Sequence, residues 1–248
     1  MYRHILESAP NLRETLPEAV PQRLQDVPPH LRLFDDGTVS VIYAPIDYVN
    51  RAARLVILGI TPGWHQAHLA FETSIAMRAT PHEIVGPEVK RRAAFAGSMR
   101  RNLIAMLDEL SVHELLGITS TAQLFAERSD LLHSSSAFRY PVFTSGKNFS
   151  GYNPDPLKHT FLVGMLEELL APELSSVPNA LVVPLGQSVE RALEYLTERN
   201  VLPSTRWLRG FPHPSGSNGH RKRLFALRKD ALALAARHWL SRPTQACN

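Results

Sequence analysis

Residues 54–59 carry Leu-Val-Ile-Leu as an unbroken apolar run, the pattern of a strand that a sheet buries on both faces. Residues 38–47, Leu131-Leu132-His133, residues 180–186 and a brief stretch at 206–208 predict further strands. Helical periodicity covers 88–110, where Phe95, Met99, Leu103, Met106, Leu107 and Leu110 share one side and Arg92, Arg100 and Arg101 fall largely off it. Further helices are predicted near 120–127, over 157–170, over 188–198 and from about 221 to 240. Residues 138–156, rich in Gly, Pro, Ser and Asn, read as a loop long enough to be functional. Residues 1–37, punctuated by Pro10, Pro17, Pro21, Pro28 and Pro29, read as an N-terminal extension wrapped on a core domain of residues 38–248. Strands alternating with helices predict one three-layer α/β/α domain around a mostly parallel sheet of four strands.

Composition narrows the function without naming it. With 44% hydrophobic and 20% charged residues in 248, the chain is that of an ordinary folded domain rather than a disordered one. No apolar run approaches the roughly 18 residues of a membrane span, and the polar start Met1-Tyr-Arg-His lacks a signal-peptide core, so a cytoplasmic protein is expected. The single cysteine, Cys247, excludes an internal disulfide, a cysteine-ligated iron–sulfur cluster and a Cys-rich zinc site. His65 and His68 are spaced i, i+3 but have no cysteine or carboxylate at ligand spacing, so neither a metal nor another cofactor is expected. Arg outnumbers Lys 22 to 5, and the cations cluster at Lys90-Arg91-Arg92, Arg100-Arg101, Arg206 with Arg209, Arg221-Lys222-Arg223 and Arg228-Lys229. Guanidinium forks match phosphate oxygens well, so these clusters fit a nucleic-acid footprint. They fit solvated helix faces equally, and composition leaves both readings open. The carboxylate pairs Asp108/Glu109 and Glu167/Glu168 lie in amphipathic segments and read as solvated faces.

Three segments leave predicted strands with the punctuation of a binding site: Gly59-Ile60-Thr61-Pro62-Gly63, His133-Ser134-Ser135-Ser136 and His213-Pro214-Ser215-Gly216. In open α/β sheets, ligands gather at the carboxyl ends of the strands. The first segment is neither a dinucleotide fingerprint nor a P-loop. Taken singly, each segment is an ordinary turn.

In that order, however, the three segments resemble the uracil-DNA glycosylase superfamily. The likeness is greatest to the single-strand-selective monofunctional and mismatch-specific branches, whose first motif is Gly-x-Asn-Pro-Gly. Gln66-Ala67-His68-Leu69-Ala70-Phe71 is similar to the segment that supplies that family's base-stacking Phe. The resemblance spans roughly residues 54 to 240, and it implies a uracil-DNA glycosylase-like fold and base excision from DNA by a monomer without cofactor. His213 takes the place of the histidine that donates to the departing base, and Thr61 that of the residue that holds the water. By the resemblance, Gly59, Gly63, Ser134, Phe71 and Trp64 are expected to line the base pocket. On the same grounds Ser215, Gly216, Ser217, Asn218, Arg221 and Lys147 are expected to contact DNA, with His220 and Arg223 nearby.

The chemistry suits these residue types. Cleaving a base from deoxyribose builds positive charge on the sugar and negative charge on the base, so a donor aimed at the base is needed. Two departures from the family pattern alter the expectation. Thr61 stands where the nearest branches have Asn, and a hydroxyl holds water but is a poor base. Ser134 stands where the family reads uracil with Asn, which implies a larger pocket and a modified pyrimidine as target. Tyr140, Lys147, Asn148, Tyr152 and Asn153 of the polar loop could supply the missing contacts. No apolar wedge follows His213-Pro214-Ser215, leaving Asn218, His220 or Arg221 to extrude the nucleotide unless the target is single-stranded. A catalytically silent DNA-binding module of the same fold and a small-molecule hydrolase are the alternatives.

Overall fold

A computed structural model describes residues 2–95, 97–203, 206–216 and 218–242, and among these described residues are seven strands and nine α-helices. The strands are β1 (Arg32–Asp35), β2 (Val39–Ile42), β3 (Leu55–Gly59), β4 (Leu132–Ser136), β5 (Val142–Thr144), β6 (Lys147–Asn148) and β7 (Leu181–Pro184). The helices are α1 (Arg3–Ser8), α2 (Trp64–Ala76), α3 (His82–Ala93), α4 (Ser98–Glu109), α5 (Val112–Leu115), α6 (Thr160–Met165), α7 (Ala171–Ser175), α8 (Gln187–Glu198) and α9 (Arg221–Leu240). Among the described residues, no helix is long and apolar enough to cross a membrane. Ser217 and Cys247 lie outside the described residues.

The chain divides into two compact units. The first joins the chain up to Val49 with Ile60–Ala94 and Ser136–Glu173. Its sheet runs β1-β2-β5-β6, and all its pairings are antiparallel. Two expectations are corrected here. The N-terminal stretch contributes β1, which pairs Phe34 with Val41 and Asp35 with Ser40 in β2. The predicted loop of residues 138–156 contains the β5–β6 hairpin, with Ser145 (φ 49°) and Gly146 (φ 72°) at its turn. Positive φ at both central residues matches the right-handed twist of the flanking strands. Two strands of three and two residues are too short to announce themselves by alternation.

The helix predicted over 88–110 is two helices. The chain leaves α3 at Ala94 and turns through the left-handed region at Phe95 (φ 50°) and Gly97 (φ 86°) before α4 starts. Phe95 is buried and therefore keeps the apolar period running through a break. The helix predicted over 157–170 continues to Ser175 through a wider π turn, Leu166–Leu170. Pro172 explains that turn: it has no N–H to donate, and its ring crowds the carbonyl of Glu168 four residues back.

The second unit joins Asn50–Gly59, Phe95–Ser135 and the chain from Leu174 onward. Its sheet is ordered β4-β3-β7. β3 and β7 run parallel in the register Leu55↔Leu181 to Leu58↔Pro184, and every residue of the three strands is buried. Burial on both faces is what the unbroken apolar run of β3 implies. Where residues 206–208 predicted a fourth strand, Trp207 makes a single parallel bridge to Val182. The chain is thus mixed α/β, with an antiparallel sheet in one unit and a parallel one in the other. Asn50 ties the start of β3 to the segment before β4, donating to the carbonyls of Asp130 (2.7 Å) and Leu132 (2.9 Å).

Candidate functional site

In the second unit, the segment after Trp207 returns to the carboxyl end of β7. The Gly186 N–H donates to the Phe211 carbonyl at 3.3 Å, and Phe211 is buried. Gly186 has φ 91°, and a Cβ there would stand 2.9 Å from the His213 Cβ, so only glycine lets this backbone come so near. Pro212 and Pro214 fix φ on either side of His213.

The neutral histidine ring is held in one tautomer. The Ser215 N–H donates to His213 Nδ1 at 3.2 Å, so Nδ1 is the acceptor and the neutral ring carries its proton on Nε2. Burial of the ring disfavours its cation and lowers its pKa below the ordinary histidine value. His213 therefore presents a neutral N–H donor at and above neutral pH.

Side chains from three places clamp the loop carbonyls. Asn102 of α4 donates to Pro214 O (2.8 Å), Asn218 donates to His213 O (3.1 Å), and Arg221 donates from Nη1 to Pro214 O (3.1 Å) and Ser215 O (2.5 Å). Arg221 is thus committed to the loop, whereas Gly216 faces open space. Nothing in the sequence marks Asn102, a single amide inside an amphipathic helix. Ser134 lies buried in β4 and Gly59 is buried at the end of β3, both in this unit.

Thr61, Gly63, Trp64, Phe71 and Lys147 belong to the first unit. The Thr61 hydroxyl donates to Tyr140 O at 3.1 Å and accepts from the Val142 N–H at 3.0 Å. One lone pair is left, enough to orient a water but not to take its proton. Replacing Thr61 with valine should cost about 1–3 kcal/mol, because the Val142 N–H loses its acceptor. Urea unfolding of Thr61→Val beside Thr61→Ser measures it, with the serine variant close to wild type.

Gly63 caps α2, and a Cβ on it would press to 3.1 Å from Asn148 Nδ2, whose companion oxygen accepts from the Trp64 N–H at 2.9 Å. The half-buried Trp64 lies 6.5 Å from the Phe143 ring, in a groove of about 570 Å³ that Lys147, Asn148 and the segment from Gln22 to Gln25 also line. Phe71 is fully buried, so its ring is packed in the core and offers no open stacking face. His68 holds the Pro21 carbonyl at 3.0 Å. In the second unit, Asp108 is not a solvated carboxylate: it accepts from the Ser120 and Thr121 hydroxyls and from the Thr121 N–H, each at 2.7 Å.

The first unit also holds a polar cluster that no motif foretold. The Tyr43 hydroxyl donates to Asp47 Oδ2 (2.8 Å) and the Tyr140 hydroxyl to Oδ1 (2.5 Å), while the rings stand 5.5 Å apart. Arg139 donates from Nε and Nη2 to one oxygen of the buried Glu173, at 2.9 and 2.5 Å. Lys90 is coupled electrostatically to Glu173, Arg139 and Asp47. Burial raises the Asp47 carboxyl above its usual range against the pull of both tyrosines, and burial lowers Lys90 to about 8. Grouped by sequence with Arg91 and Arg92, Lys90 reads as part of a cationic cluster, nucleic-acid footprint or solvated face; in the fold it is also buried and feels the charges of Glu173, Arg139 and Asp47.

No protein-family model matches the chain, and no solved structure matches it. A curated relative does: 39% of 209 aligned residues are identical, over 81% of this chain and 80% of the relative. The chain therefore belongs to the family of the uncharacterized protein YoxB of Bacillus subtilis (strain 168).

Proposed function

We propose that the chain is a monofunctional DNA glycosylase of uracil-DNA glycosylase-like, three-layer fold that hydrolyses the N-glycosidic bond of a damaged or modified pyrimidine, of uracil type or a modified cytosine, and leaves an abasic site. The observation that carries the reading is the His213 turn: a neutral imidazole, its Nδ1 taken by the Ser215 N–H, leaves Nε2–H as the donor. As the bond breaks, the electron pair leaves with the base, and this donor meets the charge that develops on the base oxygen. A neutral donor is suited to this because it favours the departing anion without first needing a proton from solvent. Water adds to C1′ of the sugar. The family resemblance assigns its positioning to Thr61, whose remaining lone pair can orient a water while the dissociative step needs little base. The enzyme acts in the cytoplasm as a monomer on flipped or single-stranded DNA, in base excision repair or in defence against DNA carrying modified bases.

The test is release of base from oligonucleotides carrying uracil, hydroxymethyluracil, xanthine or bulky cytosine adducts, read as strand breaks after alkali. Breaks that appear with wild type and vanish with His213→Ala are the expected result. The engaged Thr61 hydroxyl favours a second reading, a catalytically silent DNA-binding module. That reading predicts salt-dependent binding without breaks on any substrate. A small-molecule hydrolase would show no DNA affinity at low salt and would act on free nucleosides or esters.

A further inference from the structure

We propose that the groove at Trp64 is a nucleotide site, in which the indole stacks on an unpaired nucleobase, the Asn148 amide donates to the base edge, and Lys147 holds the adjoining phosphate. The inference rests on the groove alone and on no chemistry at His213.

The walls of the groove are fixed by the protein itself. One wall is the segment from Gln22 to Gln25, which the N-terminal stretch supplies. His68 of α2 holds the Pro21 carbonyl just before it at 3.0 Å, and Arg32 of β1 donates to the Leu24 carbonyl at 3.2 Å. Another wall is the β5–β6 hairpin, whose backbone is set by the pairs Phe143↔Asn148 and Thr144↔Lys147. Trp64, the first residue of α2, joins the two. Its N–H donates to Asn148 Oδ1 at 2.9 Å, which fastens hairpin to helix and fixes the orientation of the amide. The Asn148 Nδ2 donors have no acceptor among the described residues, so they remain for a ligand.

The contents of the groove select the ligand. The indole is half-buried, and its aromatic neighbours lie tilted to it rather than stacked, Phe143 at 56° and His68 at 46°. A flat ring can therefore stack on it, and any nucleobase offers one. Three amides, from Gln22, Gln25 and Asn148, suit the mixed donors and acceptors of a base edge. Among the described residues, the charged groups lining the groove are Arg23 and Lys147, and no carboxylate lines it. The nearby Asp26 is already neutralised by Arg23, whose Nε and Nη2 donate to it at 3.3 and 2.9 Å. Lys147 is exposed at the hairpin tip with no ion-pair partner among the described residues, so its charge is available to an anion. An aromatic platform, amides and a spare cation together match a base with its phosphate.

Size and geometry require that base to be unpaired. A volume of about 570 Å³ lies within the roughly 300–1,000 Å³ of small-ligand sites. Inside a duplex both faces of a base are covered by its neighbours, which leaves none for Trp64. The nucleotide has two possible sources, a free nucleoside monophosphate or one residue of a single strand.

The experiment measures binding of fluorescein-labelled oligothymidylate, alone and annealed to oligodeoxyadenylate, over a range of salt, with unlabelled dTMP as competitor. Trp64→Ala should weaken single-strand binding by about 10- to 100-fold and leave duplex binding unchanged. Trp64→Phe should keep most of the affinity, since a phenyl ring still stacks. Lys147→Gln should reduce the slope of log affinity against log salt by about 0.7, the loss of one phosphate contact on a single strand. Displacement by dTMP that depends on Trp64 assigns the site to a free nucleotide, and indifference to dTMP assigns it to a strand. Photocross-linking of the wild-type protein to an oligonucleotide carrying 5-iodouracil, mapped by mass spectrometry, should mark Trp64, and it decides the matter even if a variant does not fold. Equal single-strand affinity of wild type and folded Trp64→Ala, an equal loss on duplex and single strand, or a cross-link confined to other residues overturns the proposal. These probes carry no lesion. Binding through Trp64 without base release from modified oligonucleotides therefore leaves this inference standing and overturns the glycosylase reading, and base release with Trp64 unmarked does the reverse.

Discussion

Replacing His213 with alanine should lower the rate of base release by about 100- to 1,000-fold, a loss of roughly 2.7–4 kcal/mol of transition-state stabilisation for one preorganised donor. DNA affinity should change little, because the loop carbonyls stay clamped by Asn102, Asn218 and Arg221. His213→Gln should recover part of the rate, since its amide can donate from the same loop. Single-turnover measurements on the released base, with DNA binding measured alongside, separate the two effects. Equal rates for wild type and His213→Ala would remove the imidazole from the chemistry.

The pH dependence carries a definite sign. Burial lowers the folded-state pKa of His213, so the unfolded chain binds the proton more readily. The stability tied to the neutral ring is full above the unfolded value of about 6.5 and is lost as pH falls below it toward the folded value. Protonation of Nδ1 also ends its acceptance from the Ser215 N–H. Activity should therefore be flat through neutrality on this group's account and decline only on the acid side.

β3, α8 and α9 stand where apolar pattern places them, and His213-Pro214-Ser215 lies on the loop between α8 and α9. What was hidden is hidden for physical reasons. Phe95 is buried, so the apolar period runs on through the point where the backbone leaves the helical region. β5 and β6 draw their stability from pairing with β2 and with each other rather than from any pattern of their own. The Asp47 cluster draws Tyr43, Asp47, Lys90, Arg139, Tyr140 and Glu173 from segments far apart in sequence, and each residue by itself looks ordinary. Thr61 looks like a free motif hydroxyl in sequence, and only the fold commits it to Tyr140 and Val142.

Arg206 shows how a surface-like sequence feature becomes a structural centre. Its side chain is buried, with Nε donating to Ala180 O (3.0 Å), Nη1 to Leu174 O (2.8 Å) and Nη2 to Val177 O. The carbonyls of Leu174 and Val177 also accept from backbone N–H groups, so the guanidinium binds a turn that is already closed and fastens it to the start of β7. Burial lowers the guanidinium to about 10, which leaves it charged at neutral pH among carbonyl dipoles. Hydrogen bonds to a charged group are worth about 1.5–3 kcal/mol each, partly offset by the cost of burying the charge. Arg206→Met should therefore destabilise the protein by about 2–4 kcal/mol, a fall in Tm of roughly 5–15 °C at this chain length. Arg206→Lys should recover less than half of that, because a point-charge ammonium cannot span three acceptors that match a planar fork. The lost stability should also loosen the neighbouring Trp207 bridge to Val182, visible as faster amide exchange at Leu208, whose N–H donates to Val182. A methionine variant as stable as wild type would mean that desolvating the charge cancels its three hydrogen bonds, and that β7 holds its edge without the staple.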